Sequence, residues 1–278
     1  MCGSDNDEED FDIVRPSGRI LLGTLTRSAG ASVSRATVSD LSVGVVLLLH
    51  GLASHKDHNF APALARALSV RANLNVIRFN FRSASPSPHE PQHRFRISGA
   101  DDEVDDVRAV LAALAARAMH AVALVGHSRG AAVALYSAAQ LPALFGLDVA
   151  LLAPRWKPAD MLEGPFFSAE TIGALESGAF TQYVWATKAG DILVTRDDVV
   201  ALRAAGTMAA PLAALADRVR VLVIHGDADR IIPLSSAQAF AQARPLAVRL
   251  VIVPGGGHNF NAAVHADSLI DAVVDFLK

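Results

Sequence analysis

The chain has 278 residues, a formal net charge of −3 and an apolar fraction of 51%. This length fits one large domain, and the even spread of strand and helix patterns favours one domain over two. The near-neutral charge, with no basic stripe, argues against nucleic acid as a partner. The single cysteine, Cys2, excludes an intrachain disulfide framework.

The first segment of the chain, residues 1–12, is acidic and has almost no apolar side chain to bury. We therefore expect it to be a disordered tail, with residues 13–278 forming a single domain. The segment lacks the apolar region of a signal peptide. No apolar run reaches the ~18 residues of a membrane span. These features predict a cytoplasmic protein with no membrane span.

Strand and helix patterns then alternate along the chain. A hairpin is expected over Ile13–Arg15 and Ile20–Thr26, which are separated by a Pro-Ser-Gly turn. Further strands are predicted at Val43–Leu49, Asn75–Phe79, Ala121–Val125, Leu147–Leu152, Arg220–His225 and Arg249–Val253. Helical patterns cover Phe60–Val70, Val104–Leu114, Ala131–Gln140 and Leu269–Leu277. Strands separated by helices predict an α/β fold, with a mostly parallel sheet covered by helices on both faces.

Carboxylates cluster at the start of the second predicted helix. They are Asp101, Asp102, Glu103, Asp105 and Asp106. Negative charge is favourable in the first turns of a helix, so we interpret this cluster as a solvated helix start. The ten histidines do not fall in the spacing of a known zinc motif. We therefore expect no metal site.

The strand pattern lapses between Leu152 and Arg220, which predicts a small lid insertion at about 155–217. This segment carries several aromatic residues. Phe166, Phe167 and Trp185 are candidates to line a substrate pocket. The alternative is that they only pack the lid helices against the body of the domain.

The most informative stretch is Gly126-His127-Ser128-Arg129-Gly130, which lies between an apolar run and an alanine-rich helical run. In this context G-x-S-x-G is typical of a nucleophile elbow, in which flanking glycines allow a sharp turn that exposes the serine oxygen. A passive serine in a glycine-rich turn is the alternative. The remaining residues of a nucleophilic site decide between the two.

A serine nucleophile needs a base and a carboxylate that orients the base. Asp227 and Asp229 follow one predicted strand, and His258 follows the next in a glycine-rich loop. The order Ser, Asp, His matches this type of elbow. All these residues lie just past the carboxyl ends of strands, where open α/β sheets bind their ligands.

The predicted strand Val43–Leu49 ends in His50-Gly51-Leu52. The backbone N–H groups of Leu52 and Arg129 are our candidates for an oxyanion hole, because donors preorganised toward a developing oxyanion stabilise it. His50 is expected to hold loops by hydrogen bonds. His127 and His225 are expected to be packed side chains.

Four motifs resemble the α/β-hydrolase superfamily: His50-Gly51, the elbow at Ser128, Gly226-x-x-Asp229-x-x-x-Pro233 and Gly257-His258. The resemblance covers roughly residues 41–278. It is closest to the small-lid serine hydrolases that include cinnamoyl or feruloyl esterases and serine-aminopeptidase-like proteins. It implies the α/β-hydrolase fold and a Ser128–Asp229–His258 triad. The family spacing favours Asp229 over Asp227 as the acid.

This resemblance implies a serine hydrolase that cleaves a carboxylic ester of a small molecule through an acyl-enzyme, without a cofactor. A thioesterase on the same triad is an alternative. A serine aminopeptidase is another, because Glu163, Glu170 and Glu176 of the lid could hold a substrate ammonium group. The alternative of a different class is a non-catalytic binding protein with the hydrolase fold.

Overall fold

The computed structural model describes residues 7–15, 18, 20–29, 44–81, 97, 100–141, 144, 146–187 and 190–278. The strands in this part of the chain are β1 Glu8–Asp10, β2 Ile13–Val14, β3 Ile20–Leu21, β4 Gly23–Thr26, β5 Val45–Leu49, β6 Asn75–Phe79, β7 Ala121–His127, β8 Asp148–Leu152, β9 Gln182–Thr187, β10 Gly190–Thr195, β11 Val221–Gly226 and β12 Val248–Val253. The helices are α1 Ala61–Arg71, α2 Asp101–Ala115, α3 Arg129–Gln140, α4 Ala169–Ser177, α5 Arg196–Ala204, α6 Ala209–Ala213, α7 Leu234–Ala243 and α8 Ala263–Leu277.

An eight-stranded sheet forms the centre, in the order β1-β4-β6-β5-β7-β8-β11-β12. The six strands from β6 to β12 in this order pair in parallel, and β4 and β1 are antiparallel at one edge. Strands β5, β6 and β11 are buried along their whole length. This burial follows from their position inside a parallel sheet that is covered on both faces, and it extends to the polar residues Asn75 and Arg78 of β6 and His225 of β11. The predicted mostly parallel sheet is confirmed.

Helices cover both faces of this sheet. On one face, α1 and α8 share a core cluster with buried side chains of the sheet, including Leu64, Leu68, Leu269 and Val273. On the other face, α2, α3, α6 and α7 contribute to a second cluster, including Val107, Leu135, Leu212 and Phe240. The chain therefore forms a three-layer α/β/α domain, and its loops at the carboxyl ends of the parallel strands share one edge.

The N-terminal segment differs from the prediction. Glu8–Asp10 forms strand β1 and pairs with β4, so the predicted disorder of residues 1–12 is wrong for this part, whereas residues 1–6 lie outside the described residues. The predicted hairpin is present as β2 with β3. Its expected second strand is divided, however, because Gly23–Thr26 leaves the hairpin and joins the central sheet.

The acidic start of α2 also differs from the prediction of a solvated helix start. Glu103 is only 2% exposed and Asp106 is fully buried. Each carboxylate is compensated by a cation, since Arg129 contacts Glu103 at 2.9 Å and Arg15 contacts Asp106 at 2.6 Å. Two of the five acidic residues therefore tie α2 to neighbouring elements.

The segment between β8 and β11 holds a short 3-10 helix at Pro158–Glu163, helices α4, α5 and α6, and the antiparallel β9–β10 hairpin, which the sequence patterns did not predict. Local signals define its helices. The Ser168 side chain caps α4, which ends at Gly178 with φ 80°, and Thr195 opens α5 in a capping box. The boundary of the lid at about 155–217 stays a prediction.

The lid elements form a hydrophobic cluster of their own. Its buried members are Met161, Leu162, Phe167, Ile172, Leu175, Ile192, Val194, Val199 and Leu202, together with Ile97. Leu52 and Ala53, which follow β5, pack against this cluster. The lid therefore sits directly on the loop that sequence analysis singled out for an oxyanion hole.

Candidate active site

The turn between β7 and α3 places Ser128 in a strained conformation. Its φ and ψ are 54° and −114°, an unusual region for a residue other than glycine. A Cβ at Gly126 would lie 2.1 Å from the Gly130 carbonyl oxygen, and a Cβ at Gly130 would lie 2.2 Å from the Leu49 oxygen. Both glycines are therefore required for the close approach of strand and helix that the turn demands.

Three polar side chains from separate loops form a hydrogen-bonded chain. The Ser128 Oγ lies 3.0 Å from His258 Nε2, and His258 Nδ1 lies 2.8 Å from Asp229 Oδ2. A proton on Nδ1 faces the carboxylate, which leaves Nε2 to accept the serine hydroxyl. The arrangement can take a proton from Ser128 and stabilise the resulting imidazolium.

The Asp229 side chain is fully buried. Its Oδ1 accepts hydrogen bonds from the N–H groups of Ile231 at 2.8 Å and Ile232 at 2.9 Å. Burial alone raises the pKa of Asp229, but the hydrogen bond from His258, the charge of His258 and the two backbone donors outweigh it, so the pKa lies below its ordinary value. Asp229 is therefore ionised and supplies the negative charge that stabilises His258 when the imidazole is protonated during the reaction.

Asp227, the competing carboxylate, is exposed and accepts a hydrogen bond from the Gly255 N–H at 2.7 Å. It braces the glycine-rich loop that leads to His258. Asp229, by contrast, contacts the imidazole itself. The two carboxylates therefore have different partners: the Gly255 N–H for Asp227 and the His258 imidazole for Asp229.

Two histidines around the elbow make defined hydrogen bonds. The His50 Nδ1–H donates to the Gly51 oxygen at 2.8 Å, and its Nε2 accepts from the Phe81 N–H at 3.1 Å, so His50 holds two loops as expected. Burial lowers the pKa of His50 to about 4, and burial with the nearby charge of His258 lowers that of His127 to about 3. Both imidazoles are neutral at pH 7.

His225 is fully buried, and its Nε2–H donates to the Ile232 oxygen at 2.9 Å. The same nitrogen lies 3.4 Å from Asp229 Oδ2. Burial lowers the pKa of His225. This histidine therefore packs against the loop that carries Asp229, which agrees with its predicted role as a packed side chain.

The His50-Gly51 turn lies against the nucleophile, since a Cβ at Gly51 would be 3.3 Å from the Ser128 Cβ. Leu52 follows this turn directly. Arg129 is the first residue of α3, and the first N–H groups of a helix have no acceptor within that helix. The N–H of Arg129 directly follows Ser128 in the chain, and the N–H of Leu52 directly follows Gly51, which lies against Ser128. Both candidate donors for an oxyanion hole are therefore close to Ser128.

Arg129 is a candidate oxyanion donor through its backbone N–H, and its side chain forms a bidentate ion pair. Its Nε and Nη2 donate to the two carboxylate oxygens of Glu103 at 2.9 and 3.1 Å, and its Nη1 donates to the Ile97 oxygen at 3.1 Å. Such bidentate pairs fix orientation as well as position. The pair anchors the start of α3 to α2.

An ionic network holds the loop after the His50-Gly51 turn. Arg78 of β6 is 2% exposed and contacts Glu8 at 3.0 Å and Asp57 at 3.1 Å. Lys56 contacts Asp57 at 2.6 Å, and its N–H donates to the Asn80 side chain at 2.7 Å. The network runs from the edge strand β1 to the loop that carries Leu52.

The three aromatic pocket candidates occupy different environments. Phe167 is 8% exposed and is a buried member of the lid cluster, whereas Phe166 and Trp185 are half-buried and pack on the outside of that cluster. The ring of Trp185 lies 4.9 Å from that of Phe166 and 5.2 Å from that of Phe167. Phe166 and Trp185 therefore retain exposed ring surface, and Phe167 has little.

Within the part of the chain that the structure describes, no group of three or more histidine, cysteine or acidic side chains is arranged to hold a metal ion. The same residues include no helix with the length and apolar character needed to cross a bilayer.

Residues 46–276 match the model of the alpha/beta hydrolase family, so the chain belongs to this family and its predicted fold class is confirmed. An uncharacterized protein of Mycobacterium tuberculosis is 27% identical over 241 residues, covering 84% of this chain and 69% of the relative. A protein of Synechocystis sp., provisionally named a non-heme chloroperoxidase, is 45% identical over 60 residues, but this match spans only 22% of the chain and 21% of the relative.

Solved structures of esterases share the architecture. The esterase domain of a Rhodothermus marinus protein superposes with a TM-score of 0.67 at 17% identity, covering 97% of each chain. Est1E of Butyrivibrio proteoclasticus with bound ferulic acid superposes with a TM-score of 0.69 at 17% identity, covering 95% of this chain and 97% of that one. At these identities the likeness shows the common fold. Membership of the alpha/beta hydrolase family supports a hydrolase.

Proposed function

We propose that the protein hydrolyses a carboxylic ester of a small molecule through an acyl-enzyme on Ser128. The observation that carries this proposal is the hydrogen-bonded chain from Ser128 through His258 to Asp229, with lengths of 3.0 and 2.8 Å. The strain at Ser128 supports it as well, since strained backbone collects at active sites.

In the proposed reaction, His258 Nε2 takes the proton of the Ser128 hydroxyl as Oγ attacks the ester carbonyl. The N–H groups of Leu52 and Arg129 stabilise the tetrahedral oxyanion. His258 then gives its proton to the leaving alkoxide, and the carbonyl re-forms as the acyl-enzyme. A water molecule, deprotonated by His258, then attacks the acyl carbonyl, and the bond to Ser128 Oγ breaks as His258 returns the proton to that oxygen and the acid is released. Asp229 orients the imidazole and stabilises its cationic form in both halves.

Esters are the proposed substrates because the structural relatives include esterases and because the alkoxide of an ester is a better leaving group than the amine of a peptide. The same residues would cleave a thioester. The aminopeptidase alternative loses support, because Glu163 and Glu176 both pair with Arg203, at 2.8 and 3.0 Å, on the exposed face of the lid. These two carboxylates share one arginine, which reduces the negative charge they offer to a substrate ammonium group, and Glu170 lies exposed in the first turn of α4.

The test is covalent labelling by a fluorophosphonate together with hydrolysis of 4-nitrophenyl acetate. We expect one label per chain, loss of the label in Ser128→Ala, and a fall in turnover of several orders of magnitude with an unchanged melting temperature. Ser177→Ala on the exposed end of α4 is the control and should retain both activities. Unlabelled wild-type protein would favour the non-catalytic binding protein instead.

A further inference from the structure

Arg155 differs in its partners from three other arginines that are buried or half-buried. Arg15, Arg78 and Arg129 each contact a carboxylate, at 2.6, 3.0 and 2.9 Å. Arg155 is also half-buried, yet within the described part of the chain no carboxylate lies within 4.0 Å of its guanidinium. Buried charges in proteins are normally paired. The fold therefore partly desolvates this cation without supplying its counter-ion.

The position of Arg155 ties it to the active site from two directions. It follows the end of β8 by three residues, and the last residue of β8, Leu152, accepts a hydrogen bond from the Ser128 N–H at 2.8 Å. Its Nη2 points to the oxygen of Ile231 at 3.4 Å, and the N–H of Ile231 donates to Asp229. Arg155 thus lies beside the loop that holds the carboxylate of the hydrogen-bonded chain.

The hydrogen bonds of Arg155 leave most of its donors available. A guanidinium has five N–H donors in a fixed fork. The contact with Ile231 is longer than a normal N–H···O bond. Burial lowers the pKa of Arg155, which Asp160 and Asp229 partly offset from a distance, and the group stays charged at pH 7. A planar fork with free donors matches a carboxylate or a similar planar anion.

We propose that Arg155 binds a carboxylate carried by the substrate, so that the preferred ester has a second, anionic group close to the scissile bond. This inference rests on the proposed ester hydrolysis at Ser128. Arg155 is then a specificity-determining residue. Binding of the anion gives this cation a carboxylate in direct contact, which the described residues do not supply within 4.0 Å.

The test compares esters that differ only in this charge. On the acyl side the pair is the 4-nitrophenyl monoester of adipic acid and its methyl ester. On the alcohol side the pair is 4-acetoxybenzoate and 4-acetoxybenzamide. We expect the wild type to prefer the anionic member of one pair by at least about tenfold in kcat/KM, the scale of a charge-assisted hydrogen bond. Arg155→Gln should abolish that preference, and Arg155→Lys should restore part of it.

Arg230 provides the matched control, because it is exposed on the neighbouring loop that carries Asp229 and Ile231, and its removal changes the net charge equally. Arg230→Gln should keep the preference. If Arg155 only braced the loop at Ile231, Arg155→Gln would slow neutral and anionic esters alike, and an unchanged ratio in both pairs overturns the proposal.

Binding separates this inference from the proposed function. The adipate monoester can be titrated calorimetrically into Ser128→Ala, which cannot cleave it if the proposed function holds. We expect binding at least tenfold tighter than that of its methyl ester, and loss of this difference in Ser128→Ala with Arg155→Gln. If the wild type is neither labelled nor active, the hydrolytic function fails, yet this titration still decides whether Arg155 holds the anion. Equal binding of both esters overturns the anion site.

Discussion

The imidazole of His127 donates a hydrogen bond from Nε2 to the main-chain oxygen of His258, at 2.8 Å. The two rings also lie 5.1 Å apart. The residue that precedes the proposed nucleophile therefore holds the backbone of the proposed base. The distance between Ser128 and His258 depends on this link as well as on the folds of their own loops.

His127→Leu removes the link and should lower kcat on 4-nitrophenyl acetate by about tenfold or more, with a smaller change in KM, because His258 loses its fixed position. The amide of His127→Gln can occupy the place of Nε2 and should restore much of the rate. His120→Gln, at an exposed histidine, is the control. Equal rates for the leucine and glutamine variants would show that the hydrogen bond has no positioning role.

Asp229→Asn should reduce kcat by orders of magnitude, because the amide cannot stabilise the imidazolium and favours the wrong tautomer of His258. Asp227→Asn should have a small effect, since this exposed carboxylate only receives the Gly255 N–H. Steady-state hydrolysis of 4-nitrophenyl acetate by both variants measures the ranking. The reverse order would move the acid role to Asp227.

Two neutral histidines should make the fold sensitive to acid. The pKa values of His50 and His127 are about 4 and about 3, whereas the ordinary pKa of a histidine side chain is 6.5. Between these values the unfolded chain binds protons that the folded protein does not, so stability falls as pH drops below about 6.5. Each histidine should cost on the order of 1–2 kcal/mol between pH 7 and pH 5.

Urea unfolding of the wild type and of His127→Gln at pH 7 and pH 5 measures this effect. The variant lacks one of the histidines whose pKa is lowered by folding, so its free energy of unfolding should change less between the two pH values. Identical pH dependence in both proteins would mean that folding does not lower the pKa of His127.

The effect of replacing each aromatic residue of the lid should depend on how deeply its ring is buried. Phe166→Ala and Trp185→Ala should change the preference among 4-nitrophenyl esters of different acyl groups while fluorophosphonate labelling persists, because these rings are only half-buried at the edge of the lid cluster, against which Leu52 and Ala53 also pack. Phe167→Ala empties a buried position and should cost about 3 kcal/mol of stability. Substrate profiles and melting curves of all three variants test this division. A uniform loss of rate in Phe166→Ala and Trp185→Ala, with lower melting temperatures, would assign them to packing alone.

The network around Arg78 should be a strong stabilising feature. Replacing both carboxylate partners, in Glu8→Gln with Asp57→Asn, leaves the cation of a 2% exposed side chain without a counter-charge. We expect a loss on the order of 3 kcal/mol in urea unfolding. Glu9→Gln, on the same strand, removes an exposed pair with Arg27 and should cost less than about 1 kcal/mol. Similar losses in the two proteins would contradict a special role for Arg78.

The parallel part of the central sheet was predictable because its strands are mostly apolar segments separated by helical patterns. The six parallel strands begin and end within two residues of the predicted bounds. Strand β1 was not predictable, since its residues are acidic and its pairing depends on Arg78 and Arg27, which are distant in sequence. Helix α7, rich in serine, alanine and glutamine, carried too weak an apolar stripe to be predicted.

The candidate site followed from residue order and spacing, because each polar residue comes directly after an apolar strand. The residues that surround it did not follow. Glu103 looked like part of a solvated acidic run, and only the packing of α2 against α3 shows that it meets Arg129. The isolation of Arg155 is equally invisible in the sequence, because it depends on which side chains of other segments fail to reach it.

The contact of Leu52 and Ala53 with the lid cluster bears on how such an enzyme can be re-engineered. A graft that replaces the lid with that of a relative would also replace the surface on which these two residues rest. Turnover and substrate choice would then change together, and a transplanted lid would need compensating substitutions at positions 52 and 53. Libraries that vary these two positions jointly with the lid should recover active chimeras more often than libraries that vary the lid alone.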